Sequence, residues 1–195
     1  MFHHLRPAVT SIVLFTALLG LAYPLAVTGI AQLAFPAAAN GSLVRGDDGR
    51  IVGSALIGQS ATAPGYLHPR PSAAGADGYD ASASSGSNLG PLNADLIAAT
   101  AARATAIRAD APGAIIPPDA VTASASGLDP HISPQFARLQ AARIAAARGL
   151  PLADVEAAID GRTEGRLLGF IGQPRVNVLL VNLDLDTLSG VTPAP

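Results

Sequence analysis

The stretch VTSIVLFTALLGLAYPLAVTGIAQLAF, residues 9–35, decides the architecture of this chain because it is apolar almost without interruption. No Asp, Glu, Lys, Arg or His occurs from Pro7 to Val44. A helix needs about 20 apolar residues to cross the hydrocarbon core of a bilayer, and this stretch is longer than that. The sequence therefore predicts a single N-terminal transmembrane helix over residues 8–36, preceded by a short tail, 1–7.

A cleaved signal peptide is the alternative for the same segment. Ala37, Ala38 and Ala39 resemble a small-residue cleavage site, and Arg6 places a positive charge ahead of the apolar run. The apolar part of a signal peptide, however, usually spans about 7–15 residues. We therefore favour a retained anchor with a short cytoplasmic N-terminus. The flanking charges give only a weak orientation signal, and we place residues 40–195 outside the membrane.

The composition of the 195 residues excludes several classes of chemistry. A net charge of −2 provides no basic field for nucleic acid. All twelve cationic side chains are arginine, so a P-loop ATPase and a Schiff-base enzyme would each lack the lysine they require. The absence of cysteine removes disulfides, thiolate metal ligands and a cysteine nucleophile.

Beyond the apolar stretch, helix and strand patterns predict one compact mixed α/β domain of the α+β class, residues 40–195. A loop as long as 59–92 is usually functional or disordered in a compact domain, and we expect this one to be ordered. The predicted elements are a hairpin around the turn 46–49, a helix from the cap Asn93 to about Ala109, a short strand in 119–124, a helix over 134–148 capped by Ser133 and ended by Gly149, a helix over 152–160 with Leu152, Val155 and Ile159 on one side, and a strand over 175–186.

Three neighbouring polar residues, Asp129, His131 and Ser133, invite comparison with a catalytic triad. A triad places the histidine between nucleophile and carboxylate in space, which closeness in sequence does not guarantee. Ser133 is also the expected helix cap, so we assign no catalysis to it. No HExxH or paired-carboxylate motif accompanies the histidines, and we expect no metal site.

Gln140 and Arg143 share one face of the predicted 134–148 helix with the apolar residues Phe136 and Ile144. Two interpretations of this placement stay open. Gln140 is a buried amide satisfied by backbone groups with Arg143 at its rim, or the two residues contact a partner or an anionic ligand.

Two further segments carry specific expectations. In SSGSNLGPLN, 84–93, Asn88 can bond its own backbone, Gly90 can take a positive φ, and Pro91 fixes the exit direction. That shape would give Leu89 a defined direction in which to bury its side chain. In 163–175, we expect Thr163 and Glu164 to pair with Arg166 or Arg175, and Gly165, Gly169 and Gly172 to form turns.

These segments, in this order, resemble the C subunit of the bacterial high-affinity potassium-transporting ATPase, the KdpC family. The family usually has larger apolar or aromatic residues where this chain has Ala61 and Ala120, and an aromatic after Tyr66, where Leu67 and His68 follow here. The resemblance rests on RPSA (70–73), SSGSNLGPLN (84–93), VTASASGLDPHISP (121–134), AARIAAARGL (141–150), TEGRLLGF (163–170) and PRVNVLLVNLDLD (174–186).

The resemblance implies a non-catalytic subunit in the bacterial inner (plasma) membrane with no tightly bound cofactor. In the family, a channel-like subunit binds potassium, a P-type ATPase subunit hydrolyses ATP, and the C subunit holds them together. A small single-span subunit is a further expected partner. The implied partner loop comprises Arg70 together with Ser87, Asn88, Leu89, Gly90 and Pro91.

Two finer roles also follow from the resemblance. The C subunit has been described as raising the nucleotide affinity of the ATPase subunit, which implies a transient, shared ATP with Gln140 and Arg143 as candidate contacts. The other role is at the external potassium entrance. An external domain would meet no ATP, so we favour assembly and the entrance. The alternatives from other classes are a membrane-anchored hydrolase and a cell-envelope binding domain.

Overall fold

The computed structural model describes residues 2–46 and 48–190, and the chain divides into two compact units, Met1–Leu43 and Val44–Pro195. The second unit mixes helices with a small sheet. An apolar N-terminal helix followed by a mixed α/β domain confirms the predicted fold class.

The first unit is dominated by a 30-residue helix, Leu5–Ala34, which is long and apolar enough to cross a membrane. It consists of α1 (Leu5–Phe15), a π-helical segment (Thr16–Ala22) and α2 (Tyr23–Ala34), and α3 (Pro36–Ala39) follows. The π-helical segment ends where the Tyr23 N–H donates to Leu18 O, one residue before Pro24. A proline clashes with the carbonyl four residues earlier, and the wider turn relieves that clash.

The predicted hairpin follows α3 and is confirmed, with strands β1 (Leu43–Arg45) and β2 (Ile51–Ser54). Gly46 N–H donates to Arg50 O at 2.9 Å, and Gly49 takes a φ of 76°. Glycine adopts this left-handed conformation without strain. Asp47, which the prediction placed in this turn, lies outside the described residues.

Local helix signals in the sequence are confirmed at three ends. Asn93 caps α4 (Ala94–Asp110) by accepting from Asp95 and Leu96 N–H, and Ser133 caps α5 (Pro134–Arg148) by accepting from Phe136 N–H. Gly149 ends α5 in the left-handed conformation, with a φ of 67°. These caps satisfy backbone groups that a helix end would otherwise leave unpaired.

The core lies between α5, α6 (Leu152–Gly161), α7 (Val178–Ser189) and a three-stranded antiparallel sheet. The sheet has the order β3 (His131–Ile132), β5 (Arg175–Asn177), β4 (Thr163–Glu164), with Val176 opposite both Ile132 and Thr163. Fully buried side chains at its centre are Leu67, Ile144, Val155, Ile159, Val176, Val181 and Leu185.

The predicted strand over 175–186 is wrong beyond Asn177. Asn177 accepts from Leu180 N–H and caps α7, whose buried residues recur at the spacing of a helix: Val178, Val181, Asn182, Leu185 and Asp186. The alternation of Leu and Asp at 183–186 was therefore a misleading signal. Burial against α5 and α6 decides the conformation instead.

A smaller prediction is also wrong. Residues 119–124 form no strand, because Pro118–Ala120 is a 3-10 turn in which Asp119 faces Ser133. The predicted helix over 152–160 is confirmed as α6, in which Val155 and Ile159 are buried and Leu152, at the helix start, is 45% exposed.

The long loop, 59–92, contains little regular structure, but some of its residues are fully buried. Leu67 and Ala74 are fully buried, and Ser72 Oγ donates to Gly127 O at 2.6 Å. Gly127, with a φ of 68°, lies so close to Ala74 that a Cβ there would approach the Ala74 methyl to 2.6 Å. The loop is thus packed against the 121–130 segment.

Candidate functional site: a strap over a cavity

Residues 62–72, which we call the strap, lie across α5 and α7. Two side-chain amides hold consecutive residues of the strap. Asn182 accepts from Leu67 N–H at 2.7 Å and donates to Leu67 O at 3.0 Å. Gln140 accepts from His68 N–H at 2.8 Å and donates to His68 O at 3.1 Å. Each amide thus replaces the hydrogen bonds that a neighbouring strand would supply.

This geometry places Gln140 in a structural role within the chain. Its amide is 6% exposed, and both its oxygen and its nitrogen bond to the backbone of His68. The same oxygen also accepts from Arg143 Nη2 at 2.8 Å. A ligand would therefore have to compete with three existing hydrogen bonds at this side chain.

Arg143 fixes the preceding part of the strap. Its guanidinium donates to Pro64 O and, at 3.1 Å, to Tyr66 O. Burial lowers the pKa of Arg143, and Asp110 partly opposes that shift. Among the residues that the structure describes, no carboxylate lies within 4 Å of this guanidinium, so its charge is balanced mainly by carbonyl dipoles.

A buried ion pair joins α5 to α7, and the same arginine, Arg148, donates from Nε to Gly65 O of the strap. Arg148 Nη2 lies 2.7 Å from Asp186 Oδ1, with side-chain exposures of 7% and 3%. The Arg148 guanidinium also stacks over the Tyr66 ring, 4.6 Å from its centroid. Burial and the nearby Asp186 raise the pKa of the Tyr66 hydroxyl. Removing one partner of such a pair leaves an uncompensated buried charge.

Beneath the strap, between it and helices α4 and α5, lies a cavity of about 580 Å³. Its walls combine apolar side chains such as Ile107, Phe136 and Leu139 with the cations Arg70, Arg103 and Arg143. Arg103 donates to Val121 O at 3.0 Å and, within the described ranges 2–46 and 48–190, forms no ion pair. Burial lowers the pKa of His68 at the cavity edge. The site is therefore amphipathic, and two of its three cations, Arg103 and Arg143, are not in contact with a carboxylate among the described residues.

Arg70 closes the other end of the cavity. It pairs with Asp129 at 3.1 Å, while its buried Nε has no hydrogen-bond partner in the described part of the chain. Burial disfavours ionisation of Asp129, but hydrogen bonds from His131 and Arg70 outweigh it and lower the pKa of that carboxyl. Tyr79 donates to Arg70 O at 2.6 Å, and burial followed by the charge of Asp129 raises its pKa to about 12.

Of the three residues that invited comparison with a triad, Asp129 and His131 are in contact, and Ser133 is bonded elsewhere. Ser133 Oγ donates to Asp119 Oδ1 at 2.9 Å and accepts from Phe136 N–H, whereas Asp129 faces Arg70 and His131. The Ser133 hydroxyl therefore caps α5 and is already bonded to the carboxylate of Asp119. Among the described residues, no group of three His, Asp or Glu side chains is arranged to hold a metal ion.

The 84–93 segment is anchored at its root and exposed at its tip. Ser85 N–H donates to Ser126 O at 3.0 Å, and Asn93 N–H donates to Gly90 O at 3.0 Å. Asn88, with a φ of 53°, takes the left-handed conformation predicted for Gly90, so that prediction is wrong. Leu89 is 38% exposed and Leu92 is 91% exposed. Other residues of the chain therefore cover Leu89 only in part and leave Leu92 exposed.

The hairpin from β4 to β5 has the predicted pair of Glu164 and Arg175, whereas Thr163 Oγ1 donates to Ile159 O at 2.8 Å instead of bonding an arginine. Glu164 and Arg175 form an ion pair at 2.7 Å, and Gly169 and Gly172 each take a φ of 85° in the turns. Arg166 contacts Gln173 rather than Glu164, at 3.4 Å.

Sequence reasoning found Gln140 and Arg143 but missed Asn182 and Asp186. The signal was present as the helical spacing of polar residues among Val178, Val181 and Leu185. It was hidden because the segment was interpreted as a strand.

An α+β domain that carries this strap and follows one candidate membrane-spanning helix defines the class of protein, and comparisons with known proteins define its family. Residues 5–187 match the family model described as "KdpC: K+-transporting ATPase, c chain". The chain therefore belongs to this family and is a subunit of a potassium-transporting ATPase.

Close relatives cover nearly all of the chain. A "Potassium-transporting ATPase KdpC subunit" of Caulobacter sp. (strain K31) is 68% identical over 95% of this chain and 94% of the relative. The subunit of the same name in Beijerinckia indica subsp. indica is 61% identical over 95% and 94%. That in Myxococcus xanthus is 56% identical over 99% and 92%.

Proposed function

We propose that this chain is a non-catalytic accessory subunit that assembles and stabilises the potassium-transporting complex. The observation that carries the proposal is the engagement of its polar groups in the fold. Gln140, Asn182 and Arg148 bond to backbone groups of the strap, and Ser133 caps a helix. A hydrolase, the competing class, would need a nucleophile free to face a pocket.

The proposed topology is a single membrane pass with a cytoplasmic N-terminus and the α+β domain outside. The proposed partners are the potassium-binding channel-like subunit, the P-type ATPase subunit and a small single-span subunit. Gly20 and Gly29 in the Leu5–Ala34 helix support helix–helix contact, because small residues let backbones approach closely. An outside domain would then act near the external potassium entrance. Intact-mass analysis should show the anchor retained, and a mature start at Asn40 would contradict this topology.

Co-purification in mild detergent tests the assembly role. Deleting the chain should abolish recovery of the other subunits as one complex, and restoring it should recover both the complex and growth at limiting potassium. The purified chain alone should hydrolyse neither ATP nor ester and peptide probes. Hydrolysis that a point change in this chain abolishes would refute the non-catalytic role.

A second candidate function, binding of an anionic ligand, is favoured by the two arginines of the cavity that form no ion pair among the described residues. Arg103 and Arg143 beside an apolar wall suit an amphipathic anion, and a transient ATP shared with the ATPase subunit fits that description. The saturated hydrogen bonding of Gln140 and the proposed external location weigh against it. In the intact complex, Arg103→Gln should weaken the apparent ATP affinity of the ATPase subunit if this role is correct. An unchanged affinity, with exposed Arg108→Gln as the matched control, would reject it.

A further inference from the structure

The turn between β4 and β5 exposes a run of apolar side chains. Leu167, Leu168, Phe170 and Ile171 are 67%, 76%, 73% and 47% exposed. We call residues 165–174 the apolar tip. A contiguous apolar surface on a protein marks a site of contact with another molecule or with a membrane.

The backbone of the apolar tip is shaped to present these side chains. Leu167 N–H donates to Ile171 O at 2.9 Å, which closes the turn. Leu168 has a φ of 54°, a left-handed conformation that a leucine rarely adopts. The left-handed conformation of Leu168 is strained, and the turn leaves its apolar side chains exposed. A turn that served only to connect two strands could have a polar residue or glycine here without this strain.

The charge of the apolar tip has one sign. Residues 165–174 contain no Asp or Glu, and Arg166 forms no ion pair within the part of the chain that the structure describes. At the base of the tip, Arg175 is neutralised by Glu164. An apolar tip with a cation at its edge is complementary to a bilayer that contains anionic lipid.

Size and charge favour lipid over a second protein as the occupant. The apolar patch comprises four side chains, whereas each partner contributes about 20–30 residues to a standard protein interface. A small apolar patch with one cation at its edge, which forms no ion pair among the described residues, suits shallow insertion at an anionic lipid surface.

We propose that the apolar tip inserts into the interfacial region of the bilayer, with Leu168 and Phe170 among the acyl chains and Arg166 at the anionic headgroups. This contact orients the outer domain at the membrane surface. The proposal depends on the hairpin and the membrane span, and it stands or fails independently of the assembly role.

Depth-dependent fluorescence quenching tests the insertion in the full-length chain. The natural chain has no cysteine, so Leu168→Cys carries a single environment-sensitive fluorophore. The chain is placed in nanodiscs of phosphatidylglycerol and phosphatidylcholine that contain a lipid with a quencher on its acyl chain. We expect several-fold stronger quenching at position 168 than at Ile115→Cys, where the native side chain is 94% exposed. Quenching at 168 should fall in pure phosphatidylcholine and with Arg166→Gln.

A second variant guards against disruption of the tip by the label. With the fluorophore on Gln173→Cys, Leu168→Ser/Phe170→Ser should abolish the quenching while leaving the thermal unfolding midpoint unchanged. Equal quenching at 168 and 115 would overturn the proposal. So would a fluorophore at 168 that lipid never quenches and that becomes shielded only when the other subunits are added, because a protein would then be the occupant.

Discussion

Gln140 and His68 are joined by two hydrogen bonds, one to the backbone N–H and one to the backbone carbonyl of the histidine residue. Asn182 repeats the arrangement at the adjacent Leu67. The side-chain amides of two helices therefore give the strap the hydrogen bonds that neighbouring strands would supply. The strap itself belongs to no sheet of the described residues. Because the strap roofs the cavity, the two amides set the shape of the candidate site.

Gln140→Ala should destabilise the chain by about 1–3 kcal/mol, since it leaves buried backbone groups of His68 unpaired. Gln135, exposed on the same helix, is the matched control, and Gln135→Ala should change the free energy of unfolding by less than about 0.5 kcal/mol. Denaturant unfolding of the full chain in detergent measures both. Equal stability of the two variants would refute the structural role, and a loss of ATP affinity in the complex without destabilisation would favour the nucleotide role.

Arg148→Met should cost about 3–5 kcal/mol, because it strands Asp186 as a buried, unpaired charge. Arg138→Met is the control: its partner Asp160 lies at the same 2.7 Å, but both side chains are more than half exposed. An exposed pair of this kind contributes about 0–1 kcal/mol. The double variant Arg148→Met/Asp186→Leu should recover most of the lost stability. If Arg148→Met and Arg138→Met lower the free energy of unfolding by the same amount, burial does not make the Arg148–Asp186 pair more important for stability than an exposed pair.

The sequence predicted best where local chemistry decides the structure. Asn93 and Ser133 cap helices, Gly149 ends one, and each works through hydrogen bonds or backbone freedom within a few residues. The strand prediction for 175–186 failed because period-two alternation over four residues competed with burial against distant helices. Tertiary packing favours the helix there, with Val181 and Leu185 fully buried.

The candidate site was predictable in part for the same reason. Gln140 and Arg143 stood out as polar residues on the apolar face of a correctly predicted helix. Their bonding partners are backbone groups of the strap, more than 70 residues away in sequence, which no local pattern identifies. Asn182 and Asp186 were missed because their segment was assigned to the wrong element.

Tyr79 should make the chain less stable at high pH. Its pKa is raised from 10.0 to about 12, so the folded state favours the neutral phenol. This contribution is fully present below the unfolded value of 10.0 and is lost as pH rises through about 12. We expect the free energy of unfolding to fall across this window.

Tyr79→Phe should remove that part of the pH dependence, at the cost of the hydrogen bond to Arg70 O. Tyr66 also has a raised pKa and acts in the same direction, which makes the difference between wild type and variant the relevant measurement. Parallel pH profiles for the two proteins would show that Tyr79 ionises equally in the folded and unfolded states.

Replacing Asn88-Leu89-Gly90-Pro91 by Gly and Ser should impair assembly while leaving the chain folded. The tip of this loop is exposed, and its root is held outside the replaced residues, where Ser84 Oγ and Ser85 N–H both donate to Ser126 O. The bond from Asn93 N–H to Gly90 O involves only the backbone of a replaced residue. Little intrachain contact is therefore lost, so the thermal unfolding midpoint of the isolated chain should stay near that of the wild type. Leu89, only partly covered here, is available for burial against another subunit, which stabilises by at most about 1.5–3 kcal/mol.

The readouts for this loop are co-purification of the other subunits and growth at limiting potassium. The matched control replaces the equally exposed residues 75–77 at another bend of the same long loop. We expect the 88–91 variant to lose complex recovery and growth, and the control to retain both. Wild-type behaviour of the 88–91 variant would make the segment a linker. A large drop in its unfolding midpoint would show that the loop acts within the chain rather than on a partner.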